Sequence, residues 1–253
     1  MSRALAVGLI LVFVLVCPAQ AHRLEPIITE FASPFDPGTG SVQIGYEYLR
    51  TSGFFTEQQV PVLQLEYGFA PRFQFAVEFP VLRNHFRGEP AQTGAGNTEF
   101  ALRYLLAGGL EYSYALSVNA IVEAPTGDRA VAERAVTLGG RLHFDKSFGE
   151  SLFTHVNVGY RTSVSRFDEK EKSLEYSAAL VWAATLRWNP GFEVVGRKQL
   201  GGESNVALVS EFIYYVGPHM EVKFGLPVGV TSTTPEIGFQ AQVAIIFGKG
   251  GTR

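Results

Sequence analysis

Five histidines and the acidic residues near them are the side chains of this sequence that could do metal or acid–base chemistry. His143 and His155 stand on either side of Asp145, and imidazole and carboxylate groups are among the usual ligands of zinc. The alternative is that these groups only pair with one another. His85 lies among charged residues, but no serine or threonine has the spacing of a nucleophile activated by it. The sequence therefore predicts no catalytic residue, no metal and no cofactor.

A second set of polar side chains occurs at every second position along most of the chain. Apolar residues occupy the positions between them, as in Ile237, Phe239, Ala241 and Val243. This alternation is typical of β-strands whose two faces meet different surroundings. The candidate lumen-lining residues on the polar face are Glu47, Glu66, Glu78, Glu99, Arg103, Asn119, Glu123, Arg141, His143, His155, Arg161, Glu175, Arg187 and Lys223.

Twelve alternating segments predict twelve strands, most of them near the ~9–11 residues that cross a bilayer at a tilt. The connections between them alternate short and long, and an even strand number puts both chain ends on the short-turn side. The predicted strands are 41–49, 60–69, 73–82, 98–106, 111–123, 136–145, 151–161, 173–188, 191–198, 205–215, 219–230 and 236–247. The predicted fold of 41–253 is all-β, an antiparallel up-and-down transmembrane β-barrel.

The apolar face could point outward to lipid or inward to the core of a soluble barrel. The apolar stripes carry no charge, and a Lys or Arg there would cost ~2–4 kcal/mol at the bilayer midplane. Aromatic residues such as Tyr104, Tyr112 and Trp188 gather beside the short turns, as in an interfacial girdle. Lipid outside is therefore predicted. The enclosed polar groups either fill the lumen by pairing or line a narrow path, since twelve strands lie between filled and water-holding barrels.

The first forty residues differ from the rest. Residues 1–21 combine a basic start, the apolar run Ala4–Val16 and an Ala-x-Ala site, which predicts a cleaved signal peptide and export to a Gram-negative outer membrane. A lipid anchor on Cys17 is the alternative. Residues 22–40 are rich in proline and predict an irregular segment, either a partial plug in the lumen or a periplasmic tail.

Several stretches resemble one outer-membrane family. They include Thr29–Pro34, Leu65–Phe73, Gly96–Glu99 and Ala124–Asp128. Together they are similar to the family labelled "MetA-pathway of phenol degradation". The resemblance implies a transporter-like barrel and the passage of aromatic or other small apolar compounds. The family pattern often has an aspartate where this chain has Asn97.

Composition and charge limit the partners. A net charge of −3 over 253 residues argues against a nucleic-acid binder, and one cysteine against a disulfide scaffold. The expected partners are outer-membrane lipid, lipopolysaccharide at the charged run Asp168–Lys172, and the barrel-assembly machinery, through the terminal strand that ends at Phe247. A channel for an unidentified small solute is the predicted function. The alternatives are a closed structural barrel whose loops bind a partner or lipopolysaccharide, and a lipid-modifying hydrolase.

Overall fold

The computed structural model describes residues 26–50, 55–164, 171–231 and 236–248. Its regular structure is entirely β. The strands are β1 (Gly40–Arg50), β2 (Phe55–Ala70), β3 (Phe73–Phe86), β4 (Gln92–Ala95), β5 (Thr98–Gly108), β6 (Tyr114–Ala124), β7 (Val136–Phe148), β8 (Leu152–Val164), β9 (Lys172–Trp182), β10 (Trp188–Gln199), β11 (Ser204–Gly217), β12 (Met220–Gly229) and β13 (Ile237–Phe247). The predicted signal peptide and most of the charged run Asp168–Lys172 lie outside the described residues.

The strands close into an antiparallel barrel. β1 pairs with β2 on one side and with β13 on the other, so the sheet has no free edge there. β5 pairs with the first half of β3, and β4 pairs with its second half, so β4 and β5 share one place in the wall. The barrel therefore has twelve wall positions, which confirms the predicted fold. Closure satisfies the backbone hydrogen bonds that lipid cannot.

The two faces of the wall differ as the alternation predicts. On β11 the side chain of Phe212 is 52% exposed, whereas its neighbours Glu211 and Ile213 are buried. The same alternation runs through β6, where Ser117 and Asn119 are buried and Val122 is exposed. Large apolar side chains thus cover the outside, and the buried polar and charged side chains face the lumen. Among the described residues, no helix is both long and apolar enough to cross a membrane.

The structure places one turn differently from the prediction made from the sequence. The predicted strand 173–188 ends early, because the chain turns at 183–187, where Thr185 Oγ1 accepts a hydrogen bond from the backbone N of Trp188 at 2.7 Å. The predicted turn at Asn189–Gly191 lies inside β10 instead. Arg187 consequently sits exposed in the turn, and its prediction as a lumen residue was wrong.

Candidate functional site

Residues 26–39, here called the N-terminal segment, lie inside the barrel. The segment joins the start of β1 at the short-turn end of the barrel. There the N of Gly38 donates to Gly68 O at 2.8 Å, and Gly68 N donates to Thr39 O at 2.9 Å. A Cβ at Gly68 would lie 2.2 Å from Phe35 O. The segment therefore passes directly over Gly68, and only a glycine allows that approach.

Glu30 anchors the middle of the segment to the wall. Its carboxylate forms ion pairs with Arg103 and Arg141, and it accepts a hydrogen bond from Asn119 Nδ2 at 3.2 Å. Burial raises the pKa of the Glu30 carboxyl, but the guanidinium groups of Arg141 and Arg103 lower it by more. The pKa of Glu30 therefore lies well below its usual range, and the anchor stays charged at neutral pH.

Glu193 on β10 holds the start of the segment. Its Oε1 accepts from the N of Ile27 at 3.0 Å and of Ile28 at 3.1 Å, and its Oε2 accepts from both Thr29 N and Thr29 Oγ1 at 2.7 Å. Glu211 Oε2 also accepts from Ile27 N at 2.8 Å. Because Glu30 binds β5, β6 and β7 while Glu193 is on β10, the segment crosses the lumen.

The two predicted lumen histidines lie beside the segment. His155 Nδ1 is 2.8 Å from Asp145 Oδ1, and the other oxygen of Asp145 accepts from Ala32 N at 2.7 Å. The ring of Phe31 lies 5.4 Å from that of His155. His143 pairs with Asn157 instead. The described residues contain no group of three His, Cys, Asp or Glu side chains that could hold a metal ion.

An ion-pair network links the segment to the long-loop end. Arg141 binds Glu175 at 2.9 Å as well as Glu30. Arg161 binds Glu175 at 3.0 Å and Glu99 at 2.6 Å, and it lies 3.6 Å from Glu123. The predicted lumen residues that the structure brings together here are Glu99, Arg103, Asn119, Glu123, Arg141, His143, Arg161 and Glu175.

The predicted lumen residues Glu47, Glu66 and Lys223 lie apart from this network. Glu66 accepts hydrogen bonds from Gln43 and Gln74 near the short-turn end. Glu47 accepts from Gln240, and Lys223 pairs with Glu221 at 3.1 Å.

Cavities lined by described residues follow one another along the lumen. The outer chamber, about 380 Å³, and the inner chamber, about 460 Å³, share Glu78, Glu99 and Arg161 in their linings. The lower cavity, about 260 Å³, is at the short-turn end. Residues 26–30 line the inner chamber, whereas Phe31 and Ser33 line the lower cavity. The N-terminal segment therefore separates the inner chamber from the lower cavity.

Asn97 fastens the long loop 125–135 over the outer chamber. Its Nδ2 donates to Glu123 Oε1 at 3.0 Å and to Glu133 O at 2.9 Å, while its Oδ1 accepts from Gly127 N at 3.1 Å. An aspartate has no hydrogen to donate at physiological pH and would face the Glu123 carboxylate. The asparagine that departs from the family pattern is thus the residue that this loop contact needs.

Sequence reasoning missed Glu211 and Glu30, two carboxylates that help to fix the N-terminal segment. Glu211 follows the same alternation as Val209 and Ile213 on β11, so its lumen position was available from the pattern. Glu30 lies in an irregular segment without periodicity, and its partners are more than seventy residues away in sequence. No local signal could have placed it in the lumen.

The fold resembles solved outer-membrane barrels. An outer membrane channel from Pseudomonas putida F1 matches with a TM-score of 0.68 at 14% identity, covering 88% of this chain and 100% of that one. The KdgM porin matches at 0.57 and 14%, covering 82% and 99%. The NanC porin matches at 0.58 and 7%, covering 83% and 99%. No family model matches the sequence, and a search of the curated proteins finds no significant relative.

Proposed function

We propose that this chain is an outer-membrane channel for small solutes and that its N-terminal segment controls the passage. The observation that carries the proposal is that the outer and inner chambers are connected and end at the N-terminal segment. The outer and inner chambers share Glu78, Glu99 and Arg161, so they form one space on the long-loop side. Beyond the segment, the lower cavity continues toward the short turns.

The start and the middle of the N-terminal segment are held by polar contacts, which suits an element that moves. Hydrogen bonds to Glu193 fix its start, and hydrogen bonds and ion pairs to Arg103 and Arg141 fix its middle; these contacts can exchange for water. Displacing the segment would join the chambers to the lower cavity. Neighbours of the same fold are named as a channel and as porins, which supports passage as the role.

The resemblance to the phenol-degradation family favours aromatic or other small apolar compounds as the cargo. A lipid-modifying hydrolase is less well supported. Asp145 and His155 form a carboxylate–imidazole pair, but Asp145 also binds the N-terminal segment at Ala32 N. These two contacts of Asp145 favour a role in holding the N-terminal segment in place. We also expect the assembly machinery to recognise β13 through Phe247, and outer-membrane lipid and lipopolysaccharide to surround the barrel.

Reconstitution tests the proposal directly. Purified protein in planar bilayers should conduct ions in discrete steps, and liposomes that contain it should swell in small organic solutes. Protein that inserts and keeps its β-sheet content but passes neither ions nor solutes would contradict the channel and favour the closed structural barrel.

A further inference from the structure

The inner chamber has an apolar wall beside its polar and charged side chains. Leu49, Val60 and Val62 form it on β1 and β2, and Val195 and Pro227 extend it from β10 and β12. These side chains face the lumen, so contact with lipid does not explain them. The chamber volume of about 460 Å³ falls within the range of small-molecule sites, roughly 300–1,000 Å³. The wall can therefore hold the hydrocarbon part of a solute.

Two buried acceptors in the same chamber lack a donor. Gln240 is 8% exposed, and its Nε2 donates to Glu47 Oε1 at 2.7 Å. Its Oε1 has no hydrogen-bond partner among the described residues, and neither does Oε1 of Gln242. A buried acceptor left unpaired costs about 1–3 kcal/mol. The chamber therefore offers hydrogen-bond acceptors to an N–H or O–H group of a solute.

The charge around the chambers is negative. Seven carboxylates and four cationic side chains line the outer and inner chambers. The guanidinium groups of Arg141 and Arg161 are already bound by carboxylates such as Glu175 and Glu99. Glu78 lines both chambers and makes no ion pair within 4.0 Å to any described residue. The Glu78 carboxyl group, which faces the shared space, is thus left without a cationic partner and is open to a cation from solution.

We propose that the inner chamber binds small organic cations, an ammonium group carried on a compact apolar body. The body would lie on the wall of Val60 and Val62, and the ammonium group would bind Gln240 Oε1 and the carboxylate of Glu47, while the Glu78 carboxylate would attract it at longer range. The inference rests on the channel function proposed above and names the solute class of that channel. A cation on an aromatic or branched aliphatic body can contact the apolar wall, donate to the unpaired acceptors and pair with the carboxylates at the same time.

Binding in detergent solution tests the inference apart from conduction. The probes are benzylammonium, benzyl alcohol and benzoate, which share one ring and differ in charge, measured by titration calorimetry on the folded protein. Benzylammonium should bind most tightly. Glu78→Gln should weaken its binding about threefold, the effect of one unit charge about 6 Å away in water. Glu203→Gln removes a glutamate from an exposed loop outside the chambers and should change nothing.

Gly45→Leu tests the place of binding. A Cβ at Gly45 would meet no atom closer than 3.9 Å, so the leucine fills the inner chamber without disturbing the wall. It should abolish benzylammonium binding while the barrel still folds. Benzoate binding as tight as benzylammonium, or an unchanged affinity in both Glu78→Gln and Gly45→Leu, would overturn the inference. Binding of benzylammonium without any conductance would instead contradict the channel proposal and leave this inference standing.

Discussion

Glu193 is the residue whose loss should release the N-terminal segment most selectively. It accepts four hydrogen bonds from Ile27, Ile28 and Thr29, two on each carboxylate oxygen. Glu193→Gln keeps the shape of the side chain and one acceptor oxygen. The other oxygen becomes an amide that donates, so two of the four bonds lose their acceptor.

The expected size of the effect follows from these bonds. A hydrogen bond to a charged group contributes roughly 1.5–3 kcal/mol. The loss of two bonds should therefore destabilise the bound position of the N-terminal segment by about 3 kcal/mol. That corresponds to an increase of about 100-fold in the fraction of molecules with the segment displaced.

A cysteine in the segment reports this fraction. Ser33 is 3% exposed, and its Oγ has no hydrogen-bond partner among the described residues, so Ser33→Cys should be tolerated. A thiol reagent reaches the cysteine when the segment is displaced, and Glu193→Gln should raise the labelling rate about 100-fold. Glu123→Gln is the control and should leave the labelling rate unchanged. This lumen carboxylate contacts Asn97 and Arg161, which lie outside the N-terminal segment. Equal labelling rates in Glu193→Gln and its parent would refute the reasoning.

Three further substitutions test other parts of the structure. Asn97→Asp puts a second carboxylate beside a glutamate and should speed proteolysis within 125–135; an unchanged rate would count against the loop contact. Gly68→Val drives a side chain into backbone 2.2 Å away and should displace the segment, as measured by the cysteine-labelling rate, while unaltered labelling would contradict its path. Phe212→Arg on the lipid face should lower the free energy of unfolding in vesicles by ~2–4 kcal/mol, whereas Phe212→Leu should not; equal stability would overturn the outward orientation.

The strands of the barrel wall could be predicted because the pattern that defines them lies in residues that are adjacent in sequence. A residue facing lipid and the next one facing the lumen differ in polarity, and this difference repeats along each strand. The error at 183–187 has the same origin: Ala184, Leu186 and Trp188 continue the alternation through a turn that Thr185 stabilises. β4 has only four residues, too few for a period to be visible.

The candidate site could be predicted only in part, because its key contacts join distant parts of the chain. Alternation placed Arg103, Arg141 and Arg161 on one face, but it carried no information about which carboxylate each would bind. Glu30 meets Arg141 across 111 positions of sequence. Whether residues 22–40 lay inside or outside the barrel depended on such pairs, and the sequence alone left both alternatives open.

A reversible cross-link tests most directly whether passage depends on the segment. Ala32 of the segment packs with Ala115 of β6 and Leu105 in one buried cluster, and Cys17 is the only native cysteine of the chain. Ala32→Cys with Ala115→Cys allows a disulfide to tie the segment to the wall. Single-channel conductance should fall to the baseline when the disulfide forms and return when it is reduced. Equal conductance in the cross-linked and the reduced protein would show that solutes pass without moving the segment.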